Sequence, residues 1–166
     1  MRLLRWFAAQ LTRLARAMGF ADRHPVAATT ATFLRGLRQS THLKKSSQEV
    51  TAAAFEPPDN TLARRKKDGF EPAGHESSIN WEDEEGALTN LRSNVNAKYG
   101  VVRVRHDVIS KQVEAMPEYQ GRFVCERRPI ETENPYHGNI VFCEGLEKHE
   151  RLKLCTYLAF EAKLVP

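Results

Sequence analysis

No stretch of this 166-residue chain approaches the roughly 18 consecutive apolar residues that a bilayer-spanning helix needs, so the sequence offers no transmembrane helix. Cysteine is sparse and odd in number, at positions 125, 143 and 155. That excludes the dense, even framework of a small disulfide-stapled secreted domain and points to a reducing compartment. Several signatures of site chemistry are missing as well: Gly-x-Ser-x-Gly, His-Glu-x-x-His, a glycine-rich phosphate loop, a Cys-x-x-Cys pair and the Asp-x-Asp-x-Asn-Gly calcium loop. There is no internal repeat and no low-complexity tract. Finally, no Asp or Glu precedes Asp22. A surface helix within an ordinary domain mixes both signs of charge along its polar face, and this segment does not.

What the first eighteen residues do contain is a basic amphipathic helix. At about 100° per residue, Leu3, Leu4, Phe7, Leu11, Leu14 and Met18 form one stripe, and Arg2, Arg5, Arg13 and Arg16 cluster opposite it. Pro25, with His24 before it, ends such a helix by Arg23. Three roles fit: a mitochondrial-type leader, which would place the body in the matrix of a eukaryotic host; an interfacial helix with its apolar face in a membrane boundary; or a helix packed on the body of the protein. The basicity is confined here. Residues 1–48 hold nine Lys or Arg against one acid, whereas the remainder holds sixteen against twenty. A mildly acidic body disfavours a general phosphate-binding surface, and with it nucleic acid as the main partner.

Composition that is 41% hydrophobic and 28% charged describes an ordinary globular domain. The patterning predicts a single small α+β domain over 31–166, with three or four strands and two or three helices, behind a basic amphipathic extension at 1–30. Ala31–Leu37 reads as a short helix or strand, Val50–Phe55 as a strand, and 57–76 as a polar, mobile loop punctuated by Asp68-Gly69 and Pro72 to Gly74. Asn80 looks like an N-cap for a helix over Trp81–Lys98, with acids at 82–85 in its first turn and Leu88, Leu91 and Val95 at helical spacing. Strands are expected at Tyr99–Arg105, Gly121–Glu126 and Asn139–Phe142, a helix over Asp107–Met116, and a closing helix from Leu146 to about Leu164. In that last helix Leu152, Cys155, Leu158, Ala159 and Ala162 make the inward stripe.

Candidate chemistry is thin. Glu82 to Glu85 suit the positive end of a helix dipole better than a cation site. Cys143, His149 and Cys155 lack the close ligand pair of a zinc finger. No metal and no cofactor is therefore expected. A general base, if there is one, would be His137 or His106, with Asp107 or Glu126 to orient a ring nitrogen and Tyr136 nearby. Arg64, Arg65, Lys66 and Lys67 form a basic run in the polar loop, without the interleaved aromatics that a single-strand nucleic-acid surface would use. Trp81, an aromatic at the proposed helix entry, could anchor a partner.

Phe33-Leu34-Arg35, Val50 to Phe55, Ser77-Ser78-Ile79-Asn80-Trp81, Arg105-His106-Asp107 and Asn134-Pro135-Tyr136-His137-Gly138-Asn139-Ile140 together resemble a set of short bacterial proteins with no assigned biochemistry. The resemblance spans about residues 33–142. It implies a bacterial soluble protein, carries no catalytic residue with it, and would make residues 1–30 an extension, because those relatives begin near the first of these motifs. A bacterial host also removes the mitochondrial role. The expectation is thus a cytoplasmic accessory protein acting through protein contacts rather than an enzyme, with the contact at Trp81 and the Arg64–Lys67 run. Two alternatives stand beside it: a small hydrolase or nuclease built on His137 and His106 with a carboxylate, and a peripheral membrane protein held by residues 1–20.

Overall fold

Runs of alternating or continuous β-branched and aromatic residues give six strands, joined into one sheet in which every neighbouring pair is antiparallel. The computed structural model describes residues 32–82, 86–93, 97–130 and 133–166. The N-terminal stripe and its arginines, from Arg2 to Arg16, lie outside the described residues, as do positions 83–85 of the acidic run. The strands are β1 (Thr32–Gly36), β2 (Gly74–Trp81), β3 (Val101–Arg105), β4 (Phe123–Arg127), β5 (His137–Cys143) and β6 (Lys163–Leu164), in the spatial order β4-β5-β2-β1-β3-β6. Four helices accompany them among the described residues: α1 (Thr61–Asp68), α2 (Ala87–Arg92), α3 (His106–Glu114) and α4 (Lys148–Glu161). None is long and apolar enough to cross a membrane.

Residues directly opposite one another in neighbouring strands share a face, so the register divides the sheet cleanly. On one face lie Phe33, Val102, Val104, Ile79, Trp81, Ile140 and Phe142. All are at most 2% exposed, beneath α3, α4 and a 3-10 turn at Ala52–Ala54. The other face is divided. Around β1 and β3, Leu34 and Val101 pack on Ala87 and Leu91 of α2. Around β2, β5 and β4 the inward positions are instead Glu76, Asn80, His137, Asn139 and Glu126, with α1 packed on β2. A sheet face with polar residues at its centre needs partners for them, and α1 brings those partners.

The mixed α+β class stands, with more elements among the described residues than the patterning predicted: six strands and four helices. Val50–Phe55 is not a strand. It pairs only through an isolated bridge between Val50 and Leu43, and its alanines turn as a 3-10 helix at Ala52–Ala54. Asn80 is not an N-cap either. Residues 74–81 are a strand, and the helix described after it spans Ala87–Arg92. The expected mobile loop at 57–76 contains α1 and the start of β2. The Thr61 hydroxyl donates to the Pro58 carbonyl (2.8 Å) at the entry of α1 and accepts from the Glu76 amide (3.1 Å). At its exit Gly69 adopts φ 70°, and the Phe70 amide turns back to the Arg65 carbonyl at 3.0 Å. This left-handed closure is one that glycine adopts without penalty. In α4 the buried residues are Leu154, Cys155, Leu158 and Ala159, whereas Leu152, expected inside, is 44% exposed.

Candidate functional site

The polar half of the second face is organised around Arg65, whose side chain is 0% exposed. Its Nη1 donates to Glu76 Oε2 and to Glu126 Oε1, each at 2.7 Å, its Nη2 to Glu126 Oε2 at 3.2 Å, and its Nε to the Pro72 carbonyl at 3.1 Å. Arg64 pairs with Glu76 from the outer side, Asn139 Nδ2 donates to Glu126 Oε1 at 3.2 Å, and Arg128 lies 3.5 Å from both carboxylates while its guanidinium covers the Phe70 ring. Burial works against the charged form of Glu76, but the hydrogen bonds from Arg65 and Arg64 outweigh it and hold the carboxyl below its ordinary range. Burial likewise opposes the Arg65 charge, and its bonds to Glu126 and Glu76 keep it above its ordinary value. Both oxygens of each carboxylate are thus engaged by cations or an amide. This is a closed structural network, with no carboxylate left to accept a proton from a substrate.

His137 borders this network on β5. Its Nδ1 lies 2.8 Å from the Arg128 carbonyl, which can only accept, so Nδ1 carries the proton. Burial pushes its pKa down, leaving a neutral ring at pH 7. His106 is elsewhere. It opens α3 on the core side of the sheet, edge-on to Trp81 with ring centroids 5.6 Å apart, and its Nε2 meets Ser110 Oγ at 2.9 Å. Asp107 turns away to pair with Arg105 (2.6 Å). The four residues proposed for a catalytic centre therefore separate: His137 and Glu126 on one face of the sheet, His106 and Asp107 at the helix that caps the other. No group of three or more His, Cys, Asp or Glu among the described residues has the geometry of a metal site.

The expected partner-binding residues are also redistributed. Trp81 is 0% exposed, enclosed by Phe33 (6.0 Å between ring centroids) and His106, and its Nε1 donates to the Glu126 carbonyl at 3.2 Å. Gly138 makes room for it, since a Cβ there would come within 2.4 Å of Trp81 Nε1. A ring held this way is a core residue and presents nothing to a partner. Of the basic run, Arg65 and Arg64 belong to the carboxylate network, Lys66 pairs with Glu144 across the surface, and Lys67 is exposed. The run reads as a solvated stretch in sequence because the acids that absorb its arginines arrive from two other strands.

Comparison of the chain with protein-family models, with curated proteins and with solved structures finds no match.

Two features that the sequence did not single out remain on the surface. The first is the outer side of α4, where Phe160 is 82% exposed and Leu152, with Thr156 between them, 44%; Leu164 on the edge strand β6 is 43% exposed. The second is a cleft of about 420 Å³ between the segment 35–59 and the start of α4. Arg35 and His42 are its buried polar residues, 4% and 5% exposed, and Arg38, Glu56, Asp59 and Lys148 are exposed at its edge. Burial, then repulsion from Arg38, pushes the Arg35 guanidinium down to about 9. His42 is pushed down by burial and by both arginines. Its Nδ1 accepts the Arg38 backbone N–H at 3.3 Å. Sequence spacing could not reveal this cleft, because its residues come from β1, two turns and a helix that begins only at Lys148.

Proposed function

We propose that this is a small cytoplasmic accessory protein that works through protein contacts, and that its contact surface is the outer side of α4. The observation that carries this reading is Phe160. Single exposed leucines are ordinary on protein surfaces, but an aromatic ring left 82% exposed is not. With Leu152 two turns earlier and Leu164 just beyond the helix, it supplies the kind of apolar anchor that interfaces bury at their centre. The contact moves from Trp81, which is enclosed in the core, to a helix face on the far side of the sheet from the basic run. The hydrolase alternative loses support from the separation of His106 from His137 and from the engagement of Glu126 by Arg65 and Asn139.

A photo-crosslinking amino acid placed at Phe160 in the full chain, expressed in its own host, tests the reading, with Lys67 on the opposite side of the sheet as the control position. A discrete adduct at 160 that is absent at 67 supports it, and the added mass distinguishes another protein from a second 18.9 kDa copy. Equal or absent crosslinking at the two positions overturns it.

A further inference from the structure

Arg35 differs from the other deeply buried charged groups among the described residues. Arg65, Glu76 and Glu126 each have an oppositely charged partner within 3 Å. Arg35 has only neutral ones: its Nε donates to the Ala54 carbonyl at 2.9 Å, and its Nη1 to the Ser78 carbonyl. Taking a cation out of water is costly unless an anion compensates, and carbonyl dipoles compensate only in part. The acids nearest in the cleft, Glu56 and Asp59, make no ion pair with it, nor with Arg38 or Lys148, although all five groups line the same space. Arg35 Nη2 makes no hydrogen bond within the protein and is not among the buried polar atoms left unpaired, so it keeps access to solvent, and Arg35 lines the cleft.

We propose that this cleft is a binding site for a small oxyanion, a carboxylate or a phosphate monoester, seated on the guanidinium of Arg35 and flanked by Arg38 and Lys148. The two carbonyl bonds, from Nε and Nη1, fix the plane of the guanidinium, which leaves Nη2 as a preorganised donor for an anionic oxygen. A cleft of about 420 Å³ falls within the range of small-molecule sites. The acids at the edge shape the ligand further. Glu56 and Asp59 repel a polyanion and favour a ligand that carries an ammonium or other donors beside its anionic end. The site lies at the opposite end of α4 from Phe160, so it is independent of the contact surface proposed above.

Titration calorimetry on the full chain at low ionic strength, with inorganic phosphate and with acetate as separate probes, tests the assignment and distinguishes the two anion sources. Saturable one-to-one binding of at least one probe is expected, weakened at least tenfold in the Arg38→Ala/Lys148→Ala double variant and left unchanged in a Lys66→Ala/Lys67→Ala control. Arg35→Gln is expected to abolish it. Should that variant fail to fold, the double variant, altered only at exposed positions, still decides the question. No saturable binding of either probe, or binding that the control weakens as much as the double variant does, overturns the proposal.

Discussion

Replacing Arg65 with methionine removes the cation from between two carboxylates that are 5% and 3% exposed. Met is of comparable reach and apolar, so the change deletes charge and hydrogen bonds more than volume. Four donor contacts disappear: two to Glu126, one to Glu76 and one to the Pro72 carbonyl. Arg64 and Arg128 remain, but their side chains are 58% and 24% exposed, so solvent screens what they can offer. Breaking a buried ion pair from one side typically costs about 3–5 kcal/mol, a large share of the roughly 5–15 kcal/mol that separates folded from unfolded states. With a urea slope of about 2 kcal/mol per molar, the midpoint falls by about 1.5–2.5 M. The pH dependence carries a second signature. In the wild type the depressed Glu76 contributes stability that is fully present above its ordinary value of 4.5 and is lost only as the pH falls through its lower folded value. Without Arg65 the larger of the two hydrogen-bond contributions that oppose the burial of Glu76 is gone, so its folded value rises and the variant has less stability to lose on acidification. The difference between the two proteins must therefore shrink as the pH falls from about 7 through the ordinary carboxylate value of 4.5, and adding Glu76→Gln and Glu126→Gln to the variant must restore most of the loss. A loss below about 1 kcal/mol, or one that does not change over this pH interval, would refute the network as the organising element of this face.

Gly138→Ala forces a Cβ to within 2.4 Å of both the Glu126 carbonyl and Trp81 Nε1; the overpacking should cost about 1–3 kcal/mol, lower the melting temperature by about 3–10 °C and shift tryptophan emission. On α4, Leu158→Ala should cost about 2–5 kcal/mol because Leu158 is fully buried, while Phe160→Ser should stay within about 0.5 kcal/mol of wild type, both read from urea melts. The 166-residue chain, but not a version starting at Ala31, should co-sediment with anionic vesicles and be released by salt if the arginine-faced N-terminal stripe is an interfacial helix; equal behaviour of the two versions removes that role.

Elements whose stability is local were legible in the sequence. The valine alternation of β3, the apolar run of β5, the helical spacing of α3 and the body of α4 all follow from periodicity over a few residues, although the closing helix expected to reach Leu164 ends at Glu161 and Lys163–Leu164 form β6 instead. The strand β2 was not legible. Its sequence, Gly-His-Glu-Ser-Ser-Ile-Asn-Trp, is polar in part because Glu76 and Asn80 face ionic and amide partners rather than an apolar core, while Ser78 is exposed. In the same way Asn80, which has the chemistry of an N-cap, accepts from Asn134 Nδ2 at 2.8 Å and donates to Asn90 at 3.3 Å, contacts 54 and 10 residues away. The run Arg64–Lys67 has the composition of a solvated loop, and nothing within it reveals that Glu76 and Glu126, from β2 and β4, will bury one of its arginines. The candidate catalytic pairs failed for the complementary reason. Neighbours in sequence such as His106 and Asp107 diverge on a helix start, and only the register shows which residues share a face. The cleft around Arg35 and the exposed ring of Phe160 are defined by what does not cover them, which no local pattern records.

The measurement that bears most directly on a role in protein contacts is the particle mass of the full-length protein, isolated gently from its own host through a C-terminal tag, for wild type, Phe160→Glu and His137→Asn. The account predicts a stable species heavier than the 18.9 kDa chain for the wild type and for His137→Asn, and reversion to 18.9 kDa for Phe160→Glu with the fold intact. A wild type that runs at 18.9 kDa, or a heavier species that survives Phe160→Glu unchanged, would contradict it.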